Sequence, residues 1–229
     1  MSSAATGRVA AIIPAAGLGI RLGADVPKAF LTLGGMSLLT RSALAMSAVA
    51  DVLVISAPAD ALDEASAQLQ QVDAEIHIVA GGEHRQESVA NALRKVPADV
   101  SIVLVHDAAR PLVPIQIVRN VVEAVRNGAK AVIPVLPLVD TIKRVNGQGI
   151  AIETVDRNQL RRVQTPQGFD RATLDSAHQD PAVVATDDAG LMDALGVAVT
   201  TVVGDERALK ITTMSDVYHA ISMLEATHE

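Results

Sequence analysis

The sequence predicts a single α/β domain: an open, mostly parallel β-sheet with helices on both faces. Two observations carry this. Short β-branched runs alternate with longer segments whose apolar residues recur at helical intervals, the pattern of βαβ units. In addition, 229 residues with 49% hydrophobic and 20% charged side chains suffice for a sizeable core, and no repeat, low-complexity tract or linker divides them.

Taken in order, the strand-like runs are Val9–Pro14, Val52–Ser56, Glu75–Val79, Ser101–His106, Ala131–Val135 and Val197–Val203. Helical spacing occupies Ser37–Ala48, Ala59–Leu69, Gln86–Lys95, Ile115–Asn127 and Asp170–His178, with a further helix at Asp187–Leu195 that Thr186 would cap. Leu138–Val155 breaks the alternation. There Asp140–Val145 and Ile150–Val155 flank Asn146-Gly147-Gln148-Gly149, and Asn-Gly predicts a tight hairpin turn with both central residues at positive φ. A two-stranded hairpin is marginal alone in water, so this one packs either on a second copy of the chain or back on the edge of its own domain.

Composition excludes several functions. With no cysteine there is no disulfide, thiolate metal site or thiol nucleophile, and a cytoplasmic location is expected. Only 1% of residues are aromatic (Phe30, Phe169 and Tyr218), too few for a groove that stacks bases, and a net charge of −7 opposes a broad polyanion-binding face. No nucleic-acid partner is expected. The apolar run Val9–Ile20 is interrupted by Pro14, Gly17 and Gly19, too short and broken to span a membrane, and Met1–Arg8 carries no leader signal.

Ligands of open parallel sheets bind at the carboxyl ends of the strands, which directs attention to three loops. The first is Pro14-Ala15-Ala16-Gly17-Leu18-Gly19-Ile20-Arg21-Leu22-Gly23, followed by Pro27-Lys28. Small residues let backbone N–H groups close on a phosphate, and Arg21 and Lys28 add positive charge. It is not a Walker loop, which needs Gly-Lys-Ser/Thr where Leu22-Gly23-Ala24 stands, and its glycines are spaced one residue too long for the dinucleotide fingerprint. The second, Gly81-Gly82-Glu83-His84-Arg85-Gln86-Glu87-Ser88, allows close approach of a flat ligand, with backbone groups and Ser88 reading a base edge. Taken alone it is a plain turn with Arg85 and Glu87 solvated. The third, His106-Asp107-Ala108-Ala109-Arg110-Pro111, ends a buried strand on a carboxylate, so Asp107 is a candidate ligand for phosphate-bound Mg²⁺; helix capping or an Asp107–Arg110 ion pair are the local alternatives. His106 reads as structural.

These loops, together with Asp140-Thr141-Ile142-Lys143, Val155-Asp156-Arg157-Asn158-x-Leu160, Thr165-Pro166-Gln167 and Thr186-Asp187-Asp188-Ala189, resemble in collinear order the signature of the 2-C-methyl-D-erythritol 4-phosphate cytidylyltransferase family, from about Val9 to Ser215. The resemblance implies a Rossmann-like nucleotidyltransferase domain over residues 1–229. It would join CTP to methylerythritol phosphate with release of pyrophosphate, using Mg²⁺ or another divalent ion.

By the same resemblance, the first loop, with Pro14, Gly17, Gly19, Arg21 and Lys28, cradles the triphosphate. Ala15, Ala16, Gly82, Glu83 and Ser88 surround cytosine, although Glu83 stands where relatives often carry another polar residue. Asp107 and Ala108 lie by the ribose and the metal. Arg110, Thr141, Arg157, Thr165, Thr186 and Lys210 approach the second substrate or the reacting phosphate, so that Arg21, Lys28, Arg157 and Lys210 form the catalytic set. An arm at about 138–158 clasps a second subunit, making a homodimer and delivering Thr141 and Arg157 across the interface. Read locally, Lys210 is a solvated lysine, and only the resemblance makes it catalytic. A cytidylyltransferase for another polyol phosphate, such as ribitol 5-phosphate, would share every nucleotide loop.

Overall fold

The computed structural model describes residues 7–17, 27–179 and 183–226. In chain order its strands and helices are β1 (Arg8–Pro14), β2 (Thr32–Leu33), β3 (Met36–Ser37), α1 (Leu38–Ser47), β4 (Val52–Ala57), α2 (Leu62–Gln68), β5 (Glu75–Ala80), α3 (Arg85–Leu93), β6 (Val100–Val105), α4 (Ile115–Arg126), β7 (Ala131–Pro137), β8 (Ile142–Val145), β9 (Ala151–Val155), β10 (Arg161–Val163), β11 (Gln167–Asp170), α5 (Arg171–Ala177), α6 (Asp188–Ala194), β12 (Val199–Val203) and α7 (Met214–Glu225).

The main sheet runs β10-β7-β11-β6-β1-β4-β5, with β12 added in parallel along β7. β1 pairs in parallel with both β4 and β6, and only β10 and β11 run antiparallel to their neighbours. Both faces of this sheet are covered, which is why its central strands read as unbroken apolar runs rather than alternating ones. Along β1, Val9, Ala11 and Ile13 face a core shared with α1, α2 and α4, while Ala10 and Ile12 face one shared with α3, α5 and α6. The stripe Ile117, Val118, Val121, Val122 and Val125 of α4 supplies much of the first core. A third cluster, around Leu33, Leu38, Ile211 and Ala220, seats α7 on the β2–β3 ribbon.

From β1 the chain proceeds outward to β4 and β5, then crosses back to place β6 on the other side of β1. The carboxyl end of β1 is therefore a topological switch point, where the loops after flanking strands diverge and leave a crevice.

Two sequence-based expectations are corrected. The hairpin turn does not place Asn146 and Gly147 at positive φ. Asn146 accepts the Gly149 N–H at its carbonyl and the Gln148 and Ile150 N–H groups at its side-chain oxygen, and Gly149 alone takes the left-handed conformation, at φ 79°. That is a longer, bulged loop in which the Asn side chain closes the turn by its own hydrogen bonds. Helix α6 is capped by Asp187, whose carboxylate accepts the Gly190 N–H at 2.9 Å, and not by Thr186, which is exposed. An ionised carboxylate is the stronger acceptor at the positive end of a helix.

The hairpin β8–β9 forms a sheet of its own and does not fold back on the main one. Val139, Val145, Ile150 and Ile152 along it are 56–73% exposed.

Candidate active site

At the switch point a pocket of about 200 Å³ opens among the loops that follow β1, β5 and β6. Pro14, Ala15, Ala16 and Gly17 form one wall, with Lys28 beside them; Gly82, Glu83 and Ser88 form a second; Asp107, Ala108 and Lys210 close the third. The first two walls meet because they carry almost no side chain. A Cβ on Gly81 would sit 2.4 Å from that of Ala16, so glycine is required for the loops to touch.

Each wall is held from behind. Ala15 N–H donates to the Ser56 carbonyl at 2.7 Å, and Lys28 N–H donates to that of Gly17. Ser88 is buried and accepts the Gly82 N–H while donating its own proton to the His84 carbonyl, both at 3.0 Å. Its hydroxyl thus shapes the second wall. Glu87, expected to be solvated, bends back to accept the Glu83 N–H at 2.8 Å. None of the three aromatic residues lines the pocket: Phe30 and Phe169 are buried in the core, and Tyr218 is exposed on α7.

The loop after β6 is pinned at every residue. Asp107 N–H donates to Thr165 Oγ1 (3.1 Å), Ser42 Oγ to the Ala108 carbonyl (3.1 Å), Ile211 N–H to that of Ala109 (2.8 Å), and Arg110 N–H to that of Asp107 (2.9 Å). Thr165 Oγ1, having accepted from Asp107, directs its proton to His106 Nδ1 at 3.0 Å, which leaves His106 Nε2 to donate to the Arg110 carbonyl. His106 is fully buried, and that burial, opposed by the Asp107 charge and reinforced by Arg110, pushes its pKa down to about 4. It is a neutral structural histidine.

A second pocket of about 200 Å³ adjoins the first and shares Arg85, Asp107 and Lys210 with it. Its other walls come from Arg110, the β10–β11 connection at Val163, Gln164 and Thr165, and the approach to α6 at Thr186 and Asp187. Three cations converge on the shared carboxylate. Arg85 Nε is 3.1 Å and Lys210 Nζ 2.8 Å from Asp107, with Arg110 Nε at 3.8 Å. Burial alone would raise the Asp107 carboxyl, but the charges of Arg85 and Lys210 overcome it and hold the group well below the usual carboxylate range. The Asp107–Arg110 pair weighed from sequence is thus present, as the loosest of three.

Arg85 is not solvated, as its sequence context suggested. It bridges Asp107 and Asp188, the latter at 2.7 Å from its second nitrogen, and stands in the wall between the pockets. Arg110 donates to the carbonyls of Ala208 and Val163 at 2.7 and 3.3 Å. Through the first of these, and through Ile211, the segment carrying Lys210 is tied to the Asp107 loop. Sequence reasoning also gave no place to Gln164, whose amide joins the β10–β11 connection to Asp205 beyond β12.

Of the expected site residues, Pro14, Ala15, Ala16, Gly17, Lys28, Gly82, Glu83, Ser88, Asp107, Ala108 and Lys210 meet in the first pocket, and Arg110, Thr165, Thr186, Asp107 and Lys210 in the second. Gly19 and Arg21 lie outside the described residues. Thr141 and Arg157 line neither pocket. Both are exposed on the arm, where the Arg157 guanidinium donates to the Val139 carbonyl.

An open sheet whose switch-point pocket is floored by glycines and backbone groups, rimmed by lysines and joined to a second polar pocket, has the form of a ligand-binding α/β enzyme with its candidate site at the carboxyl ends of the strands. The comparisons with known proteins are specific. The family model for 2-C-methyl-D-erythritol 4-phosphate cytidylyltransferase (IspD) matches residues 9–226. Proteins of that name from Frankia casuarinae and Saccharopolyspora erythraea are 48% and 47% identical over 222 and 221 residues, covering 96% and 94% of this chain and 82% and 99% of theirs. The crystal structure of the Thermus thermophilus protein of the same name superimposes with a TM-score of 0.80 at 36% identity, covering 95% of this chain and 99% of that one. The chain belongs to the 2-C-methyl-D-erythritol 4-phosphate cytidylyltransferase family. It is a nucleotidyltransferase with a Rossmann-like α/β fold. Among the described residues no helix is long and apolar enough to cross a membrane.

Proposed function

We propose that the protein transfers CMP from CTP to 2-C-methyl-D-erythritol 4-phosphate, releasing pyrophosphate by direct displacement at the α-phosphorus. The observation that carries this reading is the pair of pockets divided by one wall of Arg85, Asp107 and Lys210, which would bring two anionic substrates together across a cationic partition.

CTP takes the first pocket. Its base lies against Ala15, Ala16 and Gly82, recognised at its edge by backbone groups, since no aromatic ring is at hand to stack on it. Edge readout discriminates between bases, whereas stacking tolerates any of them. The triphosphate extends along Gly17 toward Lys28. The second substrate takes the pocket of Arg110, Thr165 and Thr186.

The nucleophile is a phosphate monoester, whose second pKa is about 6, so at neutral pH it is largely dianionic and needs no general base. One of its oxygens forms a bond to the α-phosphorus as the bond from that phosphorus to the bridging oxygen breaks, and the electron pair leaves with pyrophosphate. The barrier is the approach of two anions and the charge that gathers on the α-phosphoryl oxygens. Lys28 and Lys210 offset that charge, and Arg21 assists the leaving group. The planar fork of Arg157 suits the incoming phosphate. No covalent enzyme intermediate is required.

The residues present offer a hard divalent cation one ligand, an oxygen that Lys210 would have to release by turning to the substrate phosphates. Asp107 is one ionised oxygen donor at the wall between the pockets, and among the described residues no cluster of three or more His, Cys, Asp or Glu builds a cage. A single carboxylate with substrate phosphates and water is how Mg²⁺ is ordinarily held. When bound there, it would neutralise phosphate charge and polarise the α-phosphoryl group.

We further propose that the arm at about 138–158 joins two chains in a homodimer. Its exposed Val139, Val145, Ile150 and Ile152 supply an apolar surface, and pairing would carry Thr141 and Arg157 to the partner's second pocket. The test of the activity is pyrophosphate release from CTP, Mg²⁺ and methylerythritol phosphate. Release that requires all three is expected; preference for ribitol 5-phosphate, or for ATP or UTP, would overturn the assignment.

A further inference from the structure

Behind the partition lies a buried charge that the mechanism above does not use. Asp188, the first residue of α6, has a side chain 1% exposed, and both its oxygens are engaged. Oδ2 accepts from the Arg85 guanidinium at 2.7 Å, and Oδ1 stands 3.1 Å from Nε2 of His178, itself 4% exposed at the end of α5. Arg85 opens α3, so this one carboxylate fastens the ends of three helices. A buried ion pair is a poor device for stability alone, because desolvation consumes much of the Coulomb gain and apolar side chains would pack the same space. What an ionic contact supplies here is orientation. With Asp188 on one nitrogen and Asp107 on Nε, the planar guanidinium has a fixed plane and a fixed depth; with Asp107 alone it could pivot.

We propose that Asp188, braced by His178, is a positioning residue that sets Arg85 against Asp107 and so fixes the carboxylate on the wall between the two pockets. It touches neither substrate. The inference rests on the functional reading given above, and the test separates the two.

The test compares wild type with Asp188→Asn, which keeps the shape and removes the charge, and with Arg85→Lys and the double variant. Asp188→Asn is expected to lower kcat by about 10- to 100-fold, the usual effect of removing a group that orients a site residue, while the dissociation constant for CTP changes by less than about threefold, because Ala15, Gly17 and Gly82 are held independently. The double variant should fall no further than the worse single one, since both act through the same contact. A second readout does not depend on turnover. The Nε–H of Arg85, assigned by its loss in Arg85→Lys, should give a slowly exchanging proton signal in the wild type that is broadened away in Asp188→Asn. Unchanged kcat, a loss of melting temperature alone, or an undisturbed Arg85 signal would overturn the proposal. Should Asp188→Asn fail to fold, His178→Leu, which removes the brace and keeps the charge, must show the same two effects in smaller measure. A wild type that releases no pyrophosphate would defeat the functional reading, and the proton signal would still decide this one.

Discussion

Lys210 Nζ stands 2.8 Å from Asp107 Oδ2, and of the three cations around that carboxylate it is the most exposed, with 42% of its side chain open against 28% for Arg85 and 12% for Arg110. The two arginines have other partners, in Asp188 and in the carbonyls of Ala208 and Val163, while Lys210 reaches the partition on a flexible stem from the rim of both pockets. It is therefore the cation able to turn from Asp107 to an arriving phosphate.

Lys210→Ala should then lower turnover by about 10²-fold or more, as loss of a charge aimed at the transition state does. The chain should still fold, because Arg85 and Arg110 continue to compensate the buried Asp107 carboxylate when Lys210 is lost. Steady-state kinetics beside a thermal melt reads both. Lys28→Ala is expected to behave in the same way. Normal turnover in either variant removes that lysine from the mechanism.

Gly81→Ala probes the other side of the pocket. The new methyl would meet the Cβ of Ala16 at 2.4 Å and Ser88 Oγ at 3.0 Å, and neither the Ala16 backbone nor the Ser88 hydrogen bonds can yield freely. Overpacking of this kind costs about 1–3 kcal/mol, and where it is relieved by parting the two loops it weakens nucleotide binding by about 10- to 100-fold. The KM for CTP should rise while kcat holds better, since Asp107 and Lys210 stand on other loops. An unchanged KM would mean that the base does not lie between Ala16 and Gly82.

Much of this site was legible in the sequence because buried parallel strands read as uninterrupted β-branched runs, and their ends mark the loops. Asp107 follows Val103-Leu104-Val105 and His106 at the end of such a run. Strand β11 was not legible: Gln167-Gly168-Phe169-Asp170 has no β-branched residue and contains a glycine. It is a strand because β6 and β7 offer it partners on both sides, and Gly168 is needed there because a Cβ would lie 2.4 Å from Val121 of α4. The role of Arg85 was hidden for a different reason. Its partners are 22 and 103 residues away, and nothing in a local pattern relates them. Helix α7 shows Val217, Ala220, Ile221 and Leu224 at helical spacing, but among the described residues no strand follows it, so the alternation that locates the other helices does not reach it.

His106 predicts a pH dependence with a definite sign. In the folded protein burial holds its pKa at about 4, whereas in the unfolded chain it titrates near 6.5. Between those values the unfolded state binds the extra proton, so stability falls as pH drops through 6.5 and levels off below about 4. The slope contributed by this group is at most about 1.4 kcal/mol per pH unit. Denaturant melts of wild type and His106→Gln at pH 7 and pH 5 should show the gap between them narrowing at the lower pH. A gap independent of pH would mean that His106 takes up its proton as readily in the folded state as in the unfolded one.

The arm offers a test of assembly that needs no structure of the complex. Thr141 and Arg157 are exposed and line neither pocket of their own chain, while Lys28 and Lys210 do. If two chains exchange arms, each working site takes Arg157 from one and Lys210 from the other. Arg157→Ala and Lys210→Ala proteins, each nearly inactive, should on mixing form heterodimers in which one site of the two has every intact residue. With random exchange about half the chains are in heterodimers, so close to a quarter of the wild-type sites return. The recovered rate is expected to approach that fraction and to appear on the timescale of subunit exchange. Mixtures that stay as inactive as their components, under conditions where exchange is demonstrated by a size or mass tag, would place Arg157 in the service of its own chain.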